Sequence, residues 1–378
     1  MRRVLCLLAF GLLVGGCSSS SPEAATRPVT AKTATTPTVD ATPRPLELGL
    51  QDDALLSSQE PEAWPLARAL GVQVVRYNVA WNLVAPTRPA DPLDPGDPAY
   101  DWSAVDQVVD RTGQMGARAL LTIVQAPGWA NGNQHPAFTP DDPADYGRFC
   151  RVVATRYDGH HGHPRVTRFT VWNEPNGGEF FRPQDAYTSE RYAGLARACI
   201  DGVAAADRAA TVAVGPLASR GSKGGLAPLA FLDAYRAAGG PEPAAVAVNP
   251  YQFGLDPVFL PGEQRANGAI NLRNLDSLEG WISTAYGSIK PIWITEFAWR
   301  TAETPGRGVL SDEEQARLTA VSVALVHSSY PYVRLMVWFL LRDQGPESYW
   351  RSGLVQFDWR RKPVYDVWSQ LARSSLAH

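Results

Sequence analysis

The sequence predicts a (β/α)8 barrel in a single domain. Two observations point there: strand-like apolar runs alternate with amphipathic helical segments from Leu46 to the C-terminal region, and there are eight of each. A third is the texture of the strands, which are near-continuously apolar, as parallel strands buried on both faces become.

The strand candidates are Leu46 to Leu50, Val72 to Val79, Ala117 to Val124, Val166 to Trp172, Thr211 to Gly215, Ala245 to Asn249, Pro291 to Thr295 and Tyr332 to Leu340. Helical spacing of apolar residues marks Glu60 to Leu70, Trp102 to Met115, Pro143 to Tyr157, Ser189 to Ala206, Pro228 to Ala238, Leu272 to Tyr286, Asp312 to Ser328 and Pro363 to Arg373. Capping residues fix some of the starts. Asp101 precedes Trp-Ser-Ala, and Ser311 stands three residues before Glu314, as a capping box requires. A doubly wound open sheet is the structural rival, but no glycine-rich phosphate loop follows the first strand. Long inserts follow the second strand (Ala85 to Tyr100), the sixth (Gln252 to Ala269) and the eighth (Asp343 to Lys362). In a barrel all three fall on the rim where active sites lie, and extended rim loops suit a groove for a large ligand.

Ahead of the barrel, Arg2 and Arg3 lead an apolar run from Val4 to Gly16 that stops at Cys17. This is the pattern of an export signal, and the run is too short to span a bilayer comfortably. Val14-Gly15-Gly16-Cys17 resembles a bacterial lipobox, which implies lipidation of Cys17, with an ordinary secreted protein as the alternative. Residues 17–45 are rich in Ser, Thr, Ala and Pro and poor in large apolar residues, the composition of a flexible tether. The expectation is therefore a signal peptide over 1–16, a tether over 17–45 and the barrel over 46–378, held off a membrane by its lipid.

A formal net charge of −3 with no basic stripe argues against a nucleic-acid partner. Two of the four cysteines lie in the export signal, leaving Cys150 and Cys199 in helical patterns. An oxidising compartment permits a bridge between them, but free thiols are frequently just small core residues, and that is the expectation here. The run Gly159-His160-His161-Gly162-His163 falls between the third helix and the fourth strand, away from the rim; a solvated turn accounts for it better than a metal site. No spacing calls for a metal or other cofactor.

Two strands each end in one glutamate: TVWNEPN in Glu174 and IWITEFAW in Glu296. Burying a carboxylate there is costly unless it is used or paired. Lying at the ends of the fourth and seventh strands, both would reach the barrel mouth from opposite walls. Paired carboxylates so placed are the equipment for cleaving glycosidic bonds, one protonating the leaving oxygen while the other attacks the anomeric carbon or activates water.

WNEP after the fourth strand and ITEF after the seventh resemble clan A of the glycoside hydrolases, and the overall pattern is most similar to family 39, with family 5 next. The resemblance covers the domain from about Leu46 to the last helix. It implies a retaining double displacement with Glu174 as acid/base and Glu296 as nucleophile, the carboxyl groups about 5 Å apart. It further implies that Asn173 bonds the sugar 2-hydroxyl, that Arg76 keeps the nucleophile ionised, that Tyr251 bonds it, and that Trp338 is a sugar-stacking platform followed by a cis peptide to Phe339. Trp129 and Trp81 are candidates for further stacking subsites. Asn249-Pro250-Tyr251 stands where family 5 usually has a histidine, a departure from that family. The expected partner is a carbohydrate, the expected state a monomer, and the expected action endo; the alternatives are an exo-acting β-glycosidase or a barrel that binds sugar without cleaving it.

Overall fold

The computed structural model describes residues 46–252, 268–302, 310–345, 348 and 350–375. The expected signal peptide, tether and Cys17 lie outside the described residues. So does most of the insert after the sixth strand. Among the described residues no helix is long and apolar enough to cross a membrane.

Eight parallel strands close into a barrel in sequence order, with β8 pairing back onto β1. They are β1 (Glu47–Gln51), β2 (Val74–Ala80), β3 (Arg118–Val124), β4 (Arg168–Val171), β5 (Thr211–Ala218), β6 (Ala245–Asn249), β7 (Ile292–Phe297) and β8 (Val333–Phe339). The eight expected helices are present within a few residues of their expected ends. They are α2 (Ala63–Leu70), α4 (Ser103–Gln114), α5 (Pro143–Arg156), α6 (Thr188–Ala206), α7 (Pro228–Ala237), α8 (Leu275–Tyr286), α9 (Asp312–Ser329) and α10 (Pro363–Ser374). Two four-residue helices, α1 (Asp53–Leu56) and α3 (Trp81–Val84), are additional. Four residues are one turn, too short to leave a periodic signature.

Caps define the helix starts by satisfying N–H groups that lack an intrahelical partner. Ser311 accepts from the Glu314 amide at 3.2 Å, and Asp142 from that of Ala144 at 2.8 Å. Asp101 accepts from Ser103 at 3.0 Å at the start of α4.

The barrel interior is graded along its axis. At the N-terminal end of the strands, Glu47 pairs with both Arg118 and Arg168. Above them lies an apolar plug of Val74, Leu120, Ala213, Ala245, Ala247, Trp293, Leu335 and Val337. The Trp293 indole is large, and the alanines around it are the complement that lets one layer close at interior packing density. Gly49 belongs to the same logic: a Cβ there would lie 2.9 Å from the Val74 carbonyl oxygen and 3.0 Å from Val337. Toward the C-terminal end the inward residues turn polar, with Gln51, Arg76, Thr122, Thr170 and Thr295 all buried. That polar layer is the floor of the site.

Outside the barrel α5 and α6 make the closest helix pair, because Gly147 and Gly202 leave no room for side chains. A Cβ on Gly202 would stand 2.3 Å from the Gly147 carbonyl oxygen. Cys150 and Cys199 are joined across this contact, contrary to the expectation of free thiols, with Cα atoms 5.2 Å apart and 49 residues of separation. The bridge joins the helices that follow β3 and β4. Among the described residues, the cis peptide bonds are Arg182–Pro183 and Gly215–Pro216, so the bond after Trp338 is trans, contrary to expectation.

Closing a loop of this length restricts the unfolded chain, so replacing both cysteines with serine is expected to cost about 2–4 kcal/mol in urea unfolding while the structure is kept. An unchanged midpoint would show that helix packing alone holds α5 to α6.

Candidate active site

The two glutamates reach the mouth through irregularities in their strands. Regular alternation would send Thr295 and Glu296 to opposite sides of the sheet. A shift in the pairing of β7 with β8 between Ile294 and Phe297 instead brings both to the interior, where Thr295 bonds Asn249 and Glu296 bonds Arg76. On β4 the register against β5 slips between Thr170 and Val171, and the chain then passes through left-handed conformations at Trp172 (φ 63°) and Glu174 (φ 46°). Such backbone is unfavourable for non-glycine residues and persists only where its surroundings over-determine it. Here Asn176 supplies the clamp. Its side chain accepts from the Ala218 amide at 2.8 Å and donates to the carbonyls of Ala218 and Leu226 at 3.2 and 3.0 Å, while the Glu174 amide donates to the Pro216 carbonyl at 2.8 Å.

Arg76, fully buried, organises the floor. Its guanidinium donates to Thr122 at 2.9 Å, to Asn78 at 3.2 Å and to Asn173 at 2.9 Å, and to Gln51 and Glu296 through Nη1. The other oxygen of Glu296 accepts from the Tyr251 hydroxyl at 2.9 Å. Both carboxylate oxygens are therefore held, one by a cation and one by a phenol. Burial, then the charge of Glu296, raise the Tyr251 phenol well above its ordinary value, so it remains a proton donor. Asn173 gives its carbonyl oxygen to Arg76, which leaves its amide N–H2 as the end available to a ligand.

Glu174 has a different environment. It is partly exposed, no cation among the described residues bonds it, and one oxygen accepts from the Asn249 side-chain amide at 2.9 Å. In this orientation the Asn249 carbonyl oxygen accepts from the Thr295 hydroxyl at 2.8 Å. Burial first, and the neighbouring Glu296 charge second, push the Glu174 carboxyl up to about 8. At neutral pH Glu174 carries a proton and can donate it. One carboxyl is thus an acid and the other an anchored carboxylate, the division of roles that environment imposes on paired carboxylates.

Both glutamates line a cavity of 580 Å³. Gln51, Asp53 and Asn78 form one wall, Tyr251, Phe339 and Trp350 another, and Ser219, Arg220 and Ser222 of the β5–α7 loop the outer edge. A second cavity of 490 Å³ shares Asp53, Asn78, Asn173, Glu179 and Phe180 with the first and continues past Leu83, Gln125 and His135. Together they form one cleft across the mouth. Burial raises the Asp53 carboxyl, opposed by its hydrogen bond from the Asn78 amide.

Arg76, Asn173, Glu174, Tyr251 and Glu296 are all brought together, but the three tryptophans are not. Trp338 is buried on the helix side of β8, edge-on to Phe297 at 5.6 Å and tilted against Trp368 at 5.4 Å, with its N–H on the Ser352 carbonyl at 2.9 Å. Along β8 it is Leu335, Val337 and Phe339 that face inward, so regular alternation turns Trp338 out. The aromatic wall is built instead by Phe339 and by Trp350, whose rings lie 5.2 Å apart; Trp350 also packs on Tyr251 at 5.4 Å. Trp81 stacks on Phe149 at 5.3 Å in the core. Trp129 is half-buried, bonded to the Ala85 carbonyl at 2.8 Å and covered by the Arg88 guanidinium at 4.4 Å. Neither lines the cleft. The loop that carries Trp350 is pinned by buried Lys362, whose ammonium donates to Thr301 at 2.9 Å and Asp343 at 3.2 Å.

Sequence reasoning missed Gln51, Asp53, Asn78, Asn249, Phe339 and Trp350. The signal for the first two was present as three polar residues, Gln51-Asp52-Asp53, directly after the apolar run of β1. His163 folds back onto Asp110 at 2.9 Å, and among the described residues no group of three His, Cys, Asp or Glu side chains could hold a metal.

No protein-family model matches the chain, and neither does any curated protein. Solved structures do share its fold. A family 39 glycoside hydrolase from the gut symbiont Bacteroides cellulosilyticus WH2 superposes with a TM-score of 0.64 at 21% identity over 87% of this chain. This chain spans only 64% of that protein's length. A glucosidase from Croceicoccus marinus gives a TM-score of 0.64 at 18% identity over 88% of this chain and 68% of its own. A monomeric β-xylosidase from Caulobacter crescentus CB15 gives 0.61 at 18% identity, over 90% and 70%. The architecture of this chain is that of solved glycoside hydrolases.

A carboxyl with an ordinary value of 4.5 that is raised to about 8 in the fold makes the native state bind more protons than the unfolded chain between those limits. Its cost to stability is absent at low pH and grows as pH rises toward 8. Glu174→Gln removes it. The variant is expected to melt a few degrees above the parent at pH 8 and level with it near pH 4; a gap independent of pH would show that Glu174 is not raised.

Proposed function

We propose that this protein is a retaining glycoside hydrolase that cleaves β-type glycosidic bonds in a polysaccharide or oligosaccharide by double displacement. The observation that carries the proposal is the unequal treatment of two carboxyls in one cleft: Glu296 bonded by Arg76 and Tyr251, Glu174 protonated and bonded by the Asn249 amide.

In the first step the Glu296 carboxylate attacks the anomeric carbon while Glu174 passes its proton to the departing glycosidic oxygen. An ester joins the sugar to Glu296, whose negative charge is thereby consumed. With that charge gone, the second influence that raised Glu174 disappears, so the same carboxyl is now suited to act as base and take a proton from water. Water then attacks the anomeric carbon and releases Glu296, and the two inversions sum to retention. The amide N–H2 of Asn173 is the donor placed for the sugar 2-hydroxyl, a contact that strengthens as charge develops on the ring. Phe339 and Trp350 offer flat apolar faces to the C–H side of a pyranose, taking the place proposed for Trp338.

Endo action is supported by the cleft continuing from the 580 Å³ cavity into the 490 Å³ one, with room beyond a single sugar. Exo action is the second reading; the β-xylosidase of Caulobacter crescentus and an exo-β-1,4-mannosidase from an Opitutaceae bacterium that share the fold favour it. Export and attachment through a lipid on Cys17 remain part of the proposal, and the Cys150–Cys199 bridge supports an oxidising compartment.

Hydrolysis of a panel of β-glycans and aryl β-glycosides tests the reading, followed by NMR of the first product formed. A β-anomer is expected at first. An α-anomer would replace double displacement with single inversion, and binding without cleavage across the panel would favour a sugar-binding barrel. Glu296→Gln is expected to lose turnover by at least about 10³-fold, whereas Glu174→Ala should keep slow hydrolysis of aryl glycosides with good leaving groups and regain rate with azide.

A further inference from the structure

We infer that Asp53 is a positioning residue for the nucleophile. It acts by fixing which way two amide side chains face Arg76, and the inference rests on the glycosidase reading above.

Asp53 follows β1 directly and opens α1. Its Oδ1 accepts from the Asn78 backbone amide at 2.9 Å, and its Oδ2 accepts from the Asn78 side-chain amide at 2.7 Å and the Gln51 side-chain amide at 2.9 Å. A primary amide has one donor end and one acceptor end. With both donor ends committed to Asp53, both acceptor ends must point the other way. They do, and both meet the same group: Gln51 Oε1 accepts from Arg76 Nη1, and Asn78 Oδ1 accepts from Arg76 Nη2 at 3.2 Å. The two guanidinium nitrogens that receive these oxygens are the two that hold the functional residues, Nη1 bonding Glu296 and Nη2 bonding Asn173 at 2.9 Å. Asp53 thus touches neither reacting carboxyl in these contacts, yet it sets the seat of the arginine that holds the nucleophile and the 2-hydroxyl donor.

An acceptor-only group is required at this point. Three N–H groups converge on the Asp53 carboxylate, so an amide there sets its own N–H2 against at least one of them. With its oxygen kept on the Asn78 backbone amide, the new N–H2 meets the Gln51 and Asn78 side-chain amides together, and relief comes only by turning both, which puts N–H2 groups against the buried guanidinium. Arg76 then loses an acceptor it cannot replace from water. A small displacement of Arg76 displaces Glu296 and Asn173 with it.

The test compares parent, Asp53→Asn and the exchange Asp53→Asn/Asn78→Asp on an aryl glycoside that the parent cleaves. In the exchange, the amide at position 53 donates to a carboxylate at position 78 whose other oxygen remains toward Arg76, the net charge of the cluster is kept, and Gln51 alone is left to turn, so recovery is partial. Asp53→Asn is expected to lower kcat about 100-fold with KM changed by less than about threefold, since misplacement of catalytic groups costs rate more than binding. The exchange is expected to recover at least about tenfold of that kcat. Melting temperature and fluoro-sugar labelling of Glu296 are followed in parallel. If Asp53→Asn does not fold, Asn78→Ala, which removes one of the two oriented amides, should show the same split between kcat and KM. A kcat within threefold of the parent, a loss carried by KM, as for a direct sugar contact, or an exchange no better than the single variant would each overturn the inference. An inactive parent would instead overturn the glycosidase reading.

Discussion

The site depends on one buried guanidinium. Arg76 has no exposure, so each of its five N–H groups needs an acceptor within the protein, and an arginine buried without them would cost more than the domain could tolerate. The acceptors come from five strands or strand ends: Gln51 on β1, Asn78 on β2, Thr122 on β3, Asn173 after β4 and Glu296 on β7. Satisfying Arg76 therefore draws together nearly the whole mouth of the barrel. It also separates the two glutamates chemically, because only one of them receives the cation.

The barrel's axial grading makes such a centre possible. Trp293 and its small neighbours seal the middle of the interior against water from the far end, where Glu47 is engaged by Arg118 and Arg168. Above that seal the inward side chains Gln51, Arg76, Thr122, Thr170 and Thr295 are polar and hydrogen-bonded, with Phe339 the aromatic exception on β8. Irregular backbone delivers both glutamates: the slip in β7 before Phe297, and the left-handed residues Trp172 and Glu174 after β4. Both departures break the period-two rule at the point where two successive residues must serve the cleft.

Much of this could be read from the sequence, because strand texture and helix caps are local properties. The eight strands, the eight long helices and the meeting of Glu174 with Glu296 follow from apolar runs and from which residue ends each run, whereas Arg76, Asn173 and Tyr251 come only with the resemblance of WNEP and ITEF to clan A. The misplaced tryptophans show where such reading stops. Trp338 and Phe339 are adjacent aromatics on one strand, and a shift of a single residue in register decides which faces the sugar and which the helices. Trp350 comes from a loop whose course is set by buried Lys362 and Asp343, a long-range ion pair that no local pattern announces. Gln51, Asp53 and Asn78 acquire meaning only through Arg76, across strand pairings that a linear sequence does not display.

The central claim is that Arg76 and Tyr251 hold Glu296 as the attacking carboxylate while Glu174 carries the proton. Its most direct measurement uses a 2-deoxy-2-fluoro glycoside with a good leaving group, built on whichever sugar the substrate panel selects, with the labelled peptide located by mass spectrometry. The account predicts a covalent sugar on Glu296 in the peptide containing IWITEFAW. A label on Glu174, Asp53 or any other carboxylate would contradict it.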